Sequence, residues 1–476
     1  MTAGSLSVTG GAGGIDASLD DMEATSRVLA AEAAELGRIA LAGHRLLLSG
    51  NLAASAVLDP GGAAASEAAI LAALDGPHGV SVLAAGLELM SAGLWAAAAT
   101  YRAKDDALAA LDLARHWVTG YAAVCVAPFV LVAAGAAFVA DPALADAAAA
   151  ELSNVDWGQF IANHPGLVDE ASADVPGGLS ALMSPLQPFS GAFAFSQGQS
   201  PVPMTVAQAA GLVGLAYPDG HGEAIANPDA TTTSSSTPRD LQDILRALAT
   251  RNSMSAGPNQ GDIDVRIVTT VDASGIAHRS YIVDIPGTKG WQFDPSGDRT
   301  QPNDFGTNVH GLGSDDTARR EGVLQALRNA GAGPADPVML VGHSQGGLVA
   351  MSTALAASES GEFRITNVIT AGAPIGGLPV PKGTQVLSLE NRADIVPSLD
   401  GQANADIDNR VTVSFDDQHH NIGENHSMTT TYLPASAQVD SSADPSVRAF
   451  LAGLHGTFLV ASGTVTTNVY TIRRTG

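Results

Sequence analysis

Residues 337–350, Pro-Val-Met-Leu-Val-Gly-His-Ser-Gln-Gly-Gly-Leu-Val-Ala, constrain this chain more than any other stretch. An apolar run at 338–341 leads into Gly342-His343-Ser344-Gln345-Gly346, and Leu348, Val349 and Met351 then follow at helical spacing. That order reads as strand, tight turn, helix. A serine on so sharp a turn leaves little room for side chains beside it, which accounts for the glycines at both ends. Ser344 would stand exposed above a sheet edge. The first amides of the helix, that of Gln345 foremost, would point to where negative charge develops on an attacked carbonyl oxygen. Ser344 is therefore the candidate nucleophile.

A serine hydroxyl is too weak an acid to attack unaided. An imidazole must take its proton and a carboxylate must hold that imidazole in one tautomer. The pattern around Ser344 predicts where these groups lie. Residues 265–270 and 280–285 read as strands of a hairpin turning at 272–275, and 317–329 as a helix. Further strands are expected at 365–370, 385–389 and 411–415, with a terminal strand or hairpin in 457–473. Strands alternating with helices predict an α/β fold, a mainly parallel sheet flanked by helices, with reacting groups at the carboxyl ends of its strands. The strand ending at Leu389 is followed by Asp394, the candidate acid, with Asp416 as the alternative. The strand ending at Phe415 is followed by His419, His420 and His426. His426 opens a short helix and is the candidate base; the other two read as solvated loop residues. The oxygen-rich run from Asp400 to Asp408 lacks the ligand spacing of a calcium loop and reads as a solvated turn.

At 476 residues and 45% apolar composition the chain can fill two or three cores. A net charge of -25 with only 23 Lys and Arg excludes nucleic acid as a partner, because phosphate binding needs a basic face. The single cysteine, Cys125, excludes an intrachain disulfide and a cysteine zinc site. Residues 1–14 lack the basic start and apolar run of a signal peptide.

Residues 1–116 read as an all-α helical hairpin. Ile15, Leu19, Met22, Ser26, Leu29, Ala33, Leu36 and Ala40 form one narrow seam. After Asp59-Pro60-Gly61-Gly62 and a short alanine-rich helix, a second seam runs through Val80, Leu83, Leu87, Met90, Leu94, Ala97, Tyr101, Leu108 and Leu111. Residues 117–140 carry no charge over 24 positions, long enough to cross a bilayer and equally compatible with a helix buried in protein. Arg102, Lys104 and Arg115 precede them while Asp141, Asp146 and Glu151 follow, a bias that would place the N-terminus inside and the rest outside. Residues 141–236 read as a helical connector ending in a Thr/Ser-rich linker at 227–238. An α/β domain then occupies 237–476, its first helix capped by Thr237 with Pro238 next.

Residues 237 to about 456 resemble an α/β-hydrolase of the lipase and esterase kind, and several motifs resemble class-three lipases. These are Ile285-Pro286-Gly287-Thr288 as an oxyanion loop, Gly342 to Gly346, Gly372-Ala373-Pro374, the turn from Asn391 to Pro397, and a His426-Ser427 ending closed by Tyr432. The resemblance implies Ser344 as nucleophile, Asp394 as acid, His426 as base, and the amides of Thr288 and Gln345 as oxyanion donors, with no cofactor and no metal. It implies a serine carboxylic-ester hydrolase. The oxyanion loop departs from the family, which has an aromatic residue and an arginine where this chain has Ile285-Pro286, so the donor there stays open. Residues 10–115 resemble the helical-hairpin substrates of actinobacterial type VII secretion, through Tyr101-Arg102-Ala103-Lys104-Asp105, although the Trp-x-Gly turn is absent. That resemblance implies a secretion-system partner and a secreted or envelope location; cytosol also agrees with one cysteine. The expected substrate is a lipid or other apolar acyl ester, under a mobile cover at 289–316 that carries Trp291, Phe293 and Phe305. Two rivals remain: acyl transfer to an alcohol by the same triad, and a secreted helical interaction or toxin protein whose hydrolase domain is inert.

Overall fold

A computed structural model of the chain describes residues 6–11, 19–47, 58–99, 205–214, 217, 219–254, 260–290, 300–313 and 316–475. The chain divides into two compact units, Asp16–Asp112 and the remainder, Met1–Ile15 with Leu113–Gly476. The Tyr101 to Asp105 signal, residues 117–140 and most of the connector lie outside the described residues.

The smaller unit holds α1 (Leu19–Leu47), α2 (Pro60–Asp75) and α3 (residues 80–99). Asp59 caps α2 by accepting the Gly62 amide at 3.0 Å, and Pro60 starts it. Ser26 on α1 exchanges hydrogen bonds with Ser91 on α3 at 2.8–3.1 Å, and His44, near the other end of α1, meets Asp75 at 2.8 Å. Helices α1 and α3 therefore run antiparallel. The α1 seam buries Ser26, Ala33 and Ala40 as expected, but the α3 seam is rotated: Ser91 and Ala98 are buried while Leu83 and Met90 are exposed. The hydroxyl pair and small alanines decide the facing side, since they permit closer approach than the leucines. Residues Pro60–Ala99 are apolar and long enough to cross a membrane by composition, but Gly76 takes an extended backbone and divides them into two helices.

The larger unit is built on one nine-stranded sheet, ordered β1-β8-β7-β6-β5-β4-β3-β9-β2. Its strands are β1 (Ser7–Gly10), β2 (His221–Ser234), β3 (Asp262–Val271), β4 (Ala277–Ile285), β5 (Pro337–His343), β6 (Arg364–Ala371), β7 (Gln385–Asn391), β8 (Arg410–Phe415) and β9 (Thr464–Thr475). Strands β4 to β8 pair in parallel, and antiparallel strands extend both margins. This is the expected α/β class.

The parallel centre is apolar on both faces because helices cover both. Val338 and Leu340 of β5 join one core with α7 (Ala318–Asn329) and α8 (Gln345–Ser360). Met339 and Val341 join the opposite core with α5 (Leu241–Met254), α9 (Leu433–Asp440) and α10 (Pro445–Leu454). All four are fully buried, each contributing roughly 1.5–3 kcal/mol.

Three boundaries differ from expectation. Residues 221–234 form strand β2, paired to β9 from His221↔Thr475 to Ser234↔Val465, so the first part of the Thr/Ser-rich linker is sheet. Its threonines are β-branched and suit a half-solvated pleated margin, and the pairing shifts around Pro228 between Asn227 and Thr232. The helix expected at Thr237 starts at Leu241: Asp240 accepts the Asp243 amide at 2.7 Å, while Thr237 donates its hydroxyl to Val460 O. Strand β1, read as part of the helical module, lies on β8 instead.

Candidate active site

Strand β5 ends where the chain must reverse into α8, and Ser344 at that junction has φ 57° and ψ -127°, the one positive φ outside glycine among the described residues. The fold forces this strain through close backbone approach. A Cβ on Gly342 would lie 2.2 Å from Gly346 O, and a Cβ on Gly346 would lie 2.0 Å from Ile285 O. Only glycine fits either position. Ser344 donates its amide to Ala371 O at 3.0 Å, which ties the turn to β6. The serine is buried rather than exposed, with 4% of its surface accessible.

The strands after it deliver the other groups. Asp394 follows β7 in a turn closed by its own carboxylate, Oδ1 accepting the Val396 amide at 3.0 Å. His426 follows a single helical turn, Ile422–Asn425, and precedes a π-helical turn, Met428–Tyr432, capped by Ser427. Asp394 Oδ2 and His426 Nδ1 are 2.6 Å apart. The alternative acid, Asp416, pairs with Arg392 at the surface, and His419 lies nearest Asp417. Of the sequence candidates, the structure therefore brings Asp394 and His426 together, next to the Ser344 turn through His343, whose ring stacks on His426. His426 Nε2 is buried and makes no hydrogen bond, to Ser344 Oγ or to any other group, among the described residues.

Three side chains that the motifs did not assign hold this pair. Tyr432 donates to the same Asp394 Oδ2 at 2.6 Å, and burial, with the carboxylate second, holds its phenol well above the ordinary range and thus protonated. His343 is stacked on His426 with ring centres 4.6 Å apart, and its Nε2–H donates to His426 O at 2.9 Å. Burial, then the neighbouring His426, keeps His343 well below the usual histidine range, so it is the neutral tautomer. Asn391 donates to Asp417 O and Asn425 O and accepts the Asp417 amide, stapling the acid turn to the base loop. A Cβ on Gly372, at φ 59°, would lie 2.8 Å from both Asp394 Oδ2 and Tyr432 Oη. The Gly372-Ala373-Pro374 motif thereby gains a physical reason.

On the other side of Ser344, the Gly287 amide donates to Asn252 Oδ1 and the Lys289 amide to Asn303 O. The Thr288 amide between them, and that of Gln345 at the first position of α8, have no acceptor among the described residues. Two free donors flanking a strained serine are the arrangement an oxyanion needs. Within the expected cover, Phe305 opens α6 (Phe305–Leu312), capped by Asp304, and packs at 5.9 Å on Tyr217, which follows α4 (Val206–Gly214). Trp291 and Phe293 lie outside the described residues. Asp400 is likewise no solvated turn residue, since it is buried and accepts the Gly377 and Gln402 amides.

A cavity of about 530 Å³ opens at the opposite end of the sheet, where β5 begins, lined by His278, Arg279, Pro337 and Arg364 among others. Ser280 there spends its hydroxyl on Thr457 O, so the chemistry points to the carboxyl ends of the strands instead.

Residues 322–440 match the family model described as PGAP1-like alpha/beta domain, a span that includes Ser344, Asp394, His426 and Tyr432. The fold is that of an α/β-hydrolase. No curated protein and no solved structure matches. The matched span is about a quarter of the chain and takes in the Ser344 turn, the Asp394 turn and the His426 loop.

Proposed function

We propose that this α/β-hydrolase cleaves carboxylic esters through an acyl-enzyme on Ser344. The observation that carries the reading is the 2.6 Å Asp394–His426 pair set beside a serine strained to φ 57°. His426 Nε2 takes the Ser344 hydroxyl proton as Oγ attacks the ester carbonyl, and the amides of Thr288 and Gln345 stabilise the resulting oxyanion. The alkoxide leaves with that proton. Water, deprotonated by the same nitrogen, then attacks the acyl carbon and releases the acid. Tyr432 and His343 hold Asp394 and His426 in place and do not touch the reacting atoms.

The substrate favoured is an apolar acyl ester, because a net charge of -25 offers no field to recruit anions. The test is hydrolysis of p-nitrophenyl esters from acetyl to palmitoyl, with detergent controls, by the wild type and by Ser344→Ala. An apolar pocket gains roughly 0.8 kcal/mol per methylene, so kcat/KM should rise a few-fold per carbon until the pocket is full, and Ser344→Ala should lose several orders of magnitude. A fall in kcat/KM from acetyl onward would restrict the enzyme to small esters. Activity retained by Ser344→Ala would remove the mechanism. Partitioning of the acyl group to added alcohols separates hydrolysis from acyl transfer. An envelope or external location is proposed on the charge bias around residues 117–140, and protection of the domain from protease on intact cells would oppose it.

A further inference from the structure

Helix α7 begins with Ala318 and Arg319, and the Arg319 side chain points away from solvent altogether. Its Nη2 donates to Pro286 O at 2.6 Å, two residues before Thr288, and its Nη1 donates to Gln345 Oε1. Both acceptors are uncharged. Asn308, on α6, completes the arrangement: its Oδ1 accepts from Thr288 Oγ1 at 3.0 Å and from Gln345 Nε2 at 2.9 Å. Gln345 Nε2 also donates to Asp304 O at 2.7 Å. Thr288 and Gln345, whose amides have no acceptor among the described residues, are thus tied by their side chains to a single oxygen, and their two segments are bridged by a single guanidinium.

We propose that Arg319 and Asn308 are positioning residues that fix the distance between the two halves of the oxyanion hole. This inference rests on the ester-hydrolase reading above and adds to it residues that no motif assigns. The physical argument is one of cost. Burying a guanidinium against neutral carbonyl oxygens is expensive, and a well-packed apolar side chain at the same place is commonly as stable or more so. Burial depresses the Arg319 pKa to about 9, with Asp304 the group that opposes the shift, and its Nε has no partner among the described residues. Stability alone does not account for such a residue. An oxyanion hole does, because its donors act in proportion to how little they must move at the moment of reaction, and a misplacement near 1 Å costs about 100-fold in rate. Arg319 lies outside the matched 322–440 span, and Asn308 and Thr288 lie further upstream.

The test uses full-length Asn308→Ala, Asn308→Asp, Thr288→Val, Arg319→Met and Arg319→Lys, each with its melting temperature. The measurements are kcat and KM on one p-nitrophenyl ester, and Ki for an alkylboronic acid, whose tetrahedral adduct mimics the oxyanion. Asn308→Ala and Arg319→Met are expected to lose roughly 10–100-fold in kcat with KM changed less than about 3-fold. The boronate Ki should rise in step with the fall in kcat/KM. Asn308→Asp keeps the accepting Oδ1 and should stay within a few-fold of wild type, while Arg319→Lys, reaching only one acceptor, should fall between. Thr288→Val is nearly isosteric and should show a smaller kcat loss of the same kind, which decides the matter if an Arg319 variant does not fold. Folded variants with unchanged kcat and boronate affinity would overturn the inference. So would losses confined to KM. Retention of activity by Ser344→Ala is a separate result, which removes the ester-hydrolase reading itself.

Discussion

Tyr432 donates its phenolic hydroxyl to Asp394 Oδ2 at 2.6 Å, the same oxygen that faces His426 Nδ1. Two donors on one carboxylate oxygen leave the carboxylate little freedom to rotate, and Oδ1 is already held by the Val396 amide. Tyr432→Phe removes one of those donors without changing the ring, which packs edge-on to Phe415 at 5.7 Å. The expected outcome is a stability loss of about 1.5–3 kcal/mol, the usual range for a buried hydrogen bond to a charged group, with kcat reduced several-fold and KM little changed. Chemical denaturation and steady-state kinetics on the purified variant measure both. A Phe variant with wild-type stability would show that the phenol adds nothing to the Asp394 turn.

A second prediction concerns pH. Glu390, at the end of β7, is pushed up to about 7 by burial and by the carboxylate of Asp400, against the opposing charge of Arg410. Its ordinary value is 4.5, so the folded state binds the proton more tightly than the unfolded chain does. The associated stability is therefore complete below about pH 4.5 and is lost as pH rises through about 7. Glu390→Gln carries no proton to lose. Its unfolding free energy should be flatter than that of the wild type between pH 4.5 and 7, and higher above pH 7 by on the order of 1–3 kcal/mol. Parallel pH slopes for the two proteins would refute the assignment.

The third prediction tests the N-terminal strand. Gly10 has φ 75°, and a Cβ there would lie 2.1 Å from Arg410 O, so β1 can pair with β8 only while position 10 is glycine. Gly10→Val should lift β1, cost a few kcal/mol, and lower the melting temperature by roughly 2–4 °C per kcal/mol. It should also expose the β8 edge and promote association, visible by light scattering. A valine variant that melts with the wild type and stays monodisperse would show that β1 contributes nothing to the sheet.

What the sequence determined by itself is local. Ser344 could be assigned to an elbow because two glycines and an apolar run express the sterics of one turn, and none of those terms needs a distant partner. Strands β3 to β8 were readable because buried strands write themselves as short runs rich in Val, Ile and Leu, and residues 317–329 were readable as a helix from their pattern, whereas the cap expected at Thr237 failed because its hydroxyl goes to the remote Val460 O. Tertiary structure decided everything that depends on where remote segments meet. Strands β1 and β2 are polar and margin-lying, so their membership in the sheet comes only from pairing with Arg410–Phe415 and Thr464–Thr475. The sequence preferred Asp394 to Asp416 without excluding either, since both follow adjacent strands; only the fold shows that Asp394 meets His426 while Asp416 meets Arg392 at the surface. Spacing marked Tyr432 as the close of a motif but not its bond to Asp394, and it gave no sign of Arg319 or Asn308. Each is defined by a hydrogen bond spanning 20 to 38 residues, formed where loop closure brings two strand ends and a helix start to one point. Periodicity records which side of an element is buried, whereas a site is made by the side chains that different elements bury together.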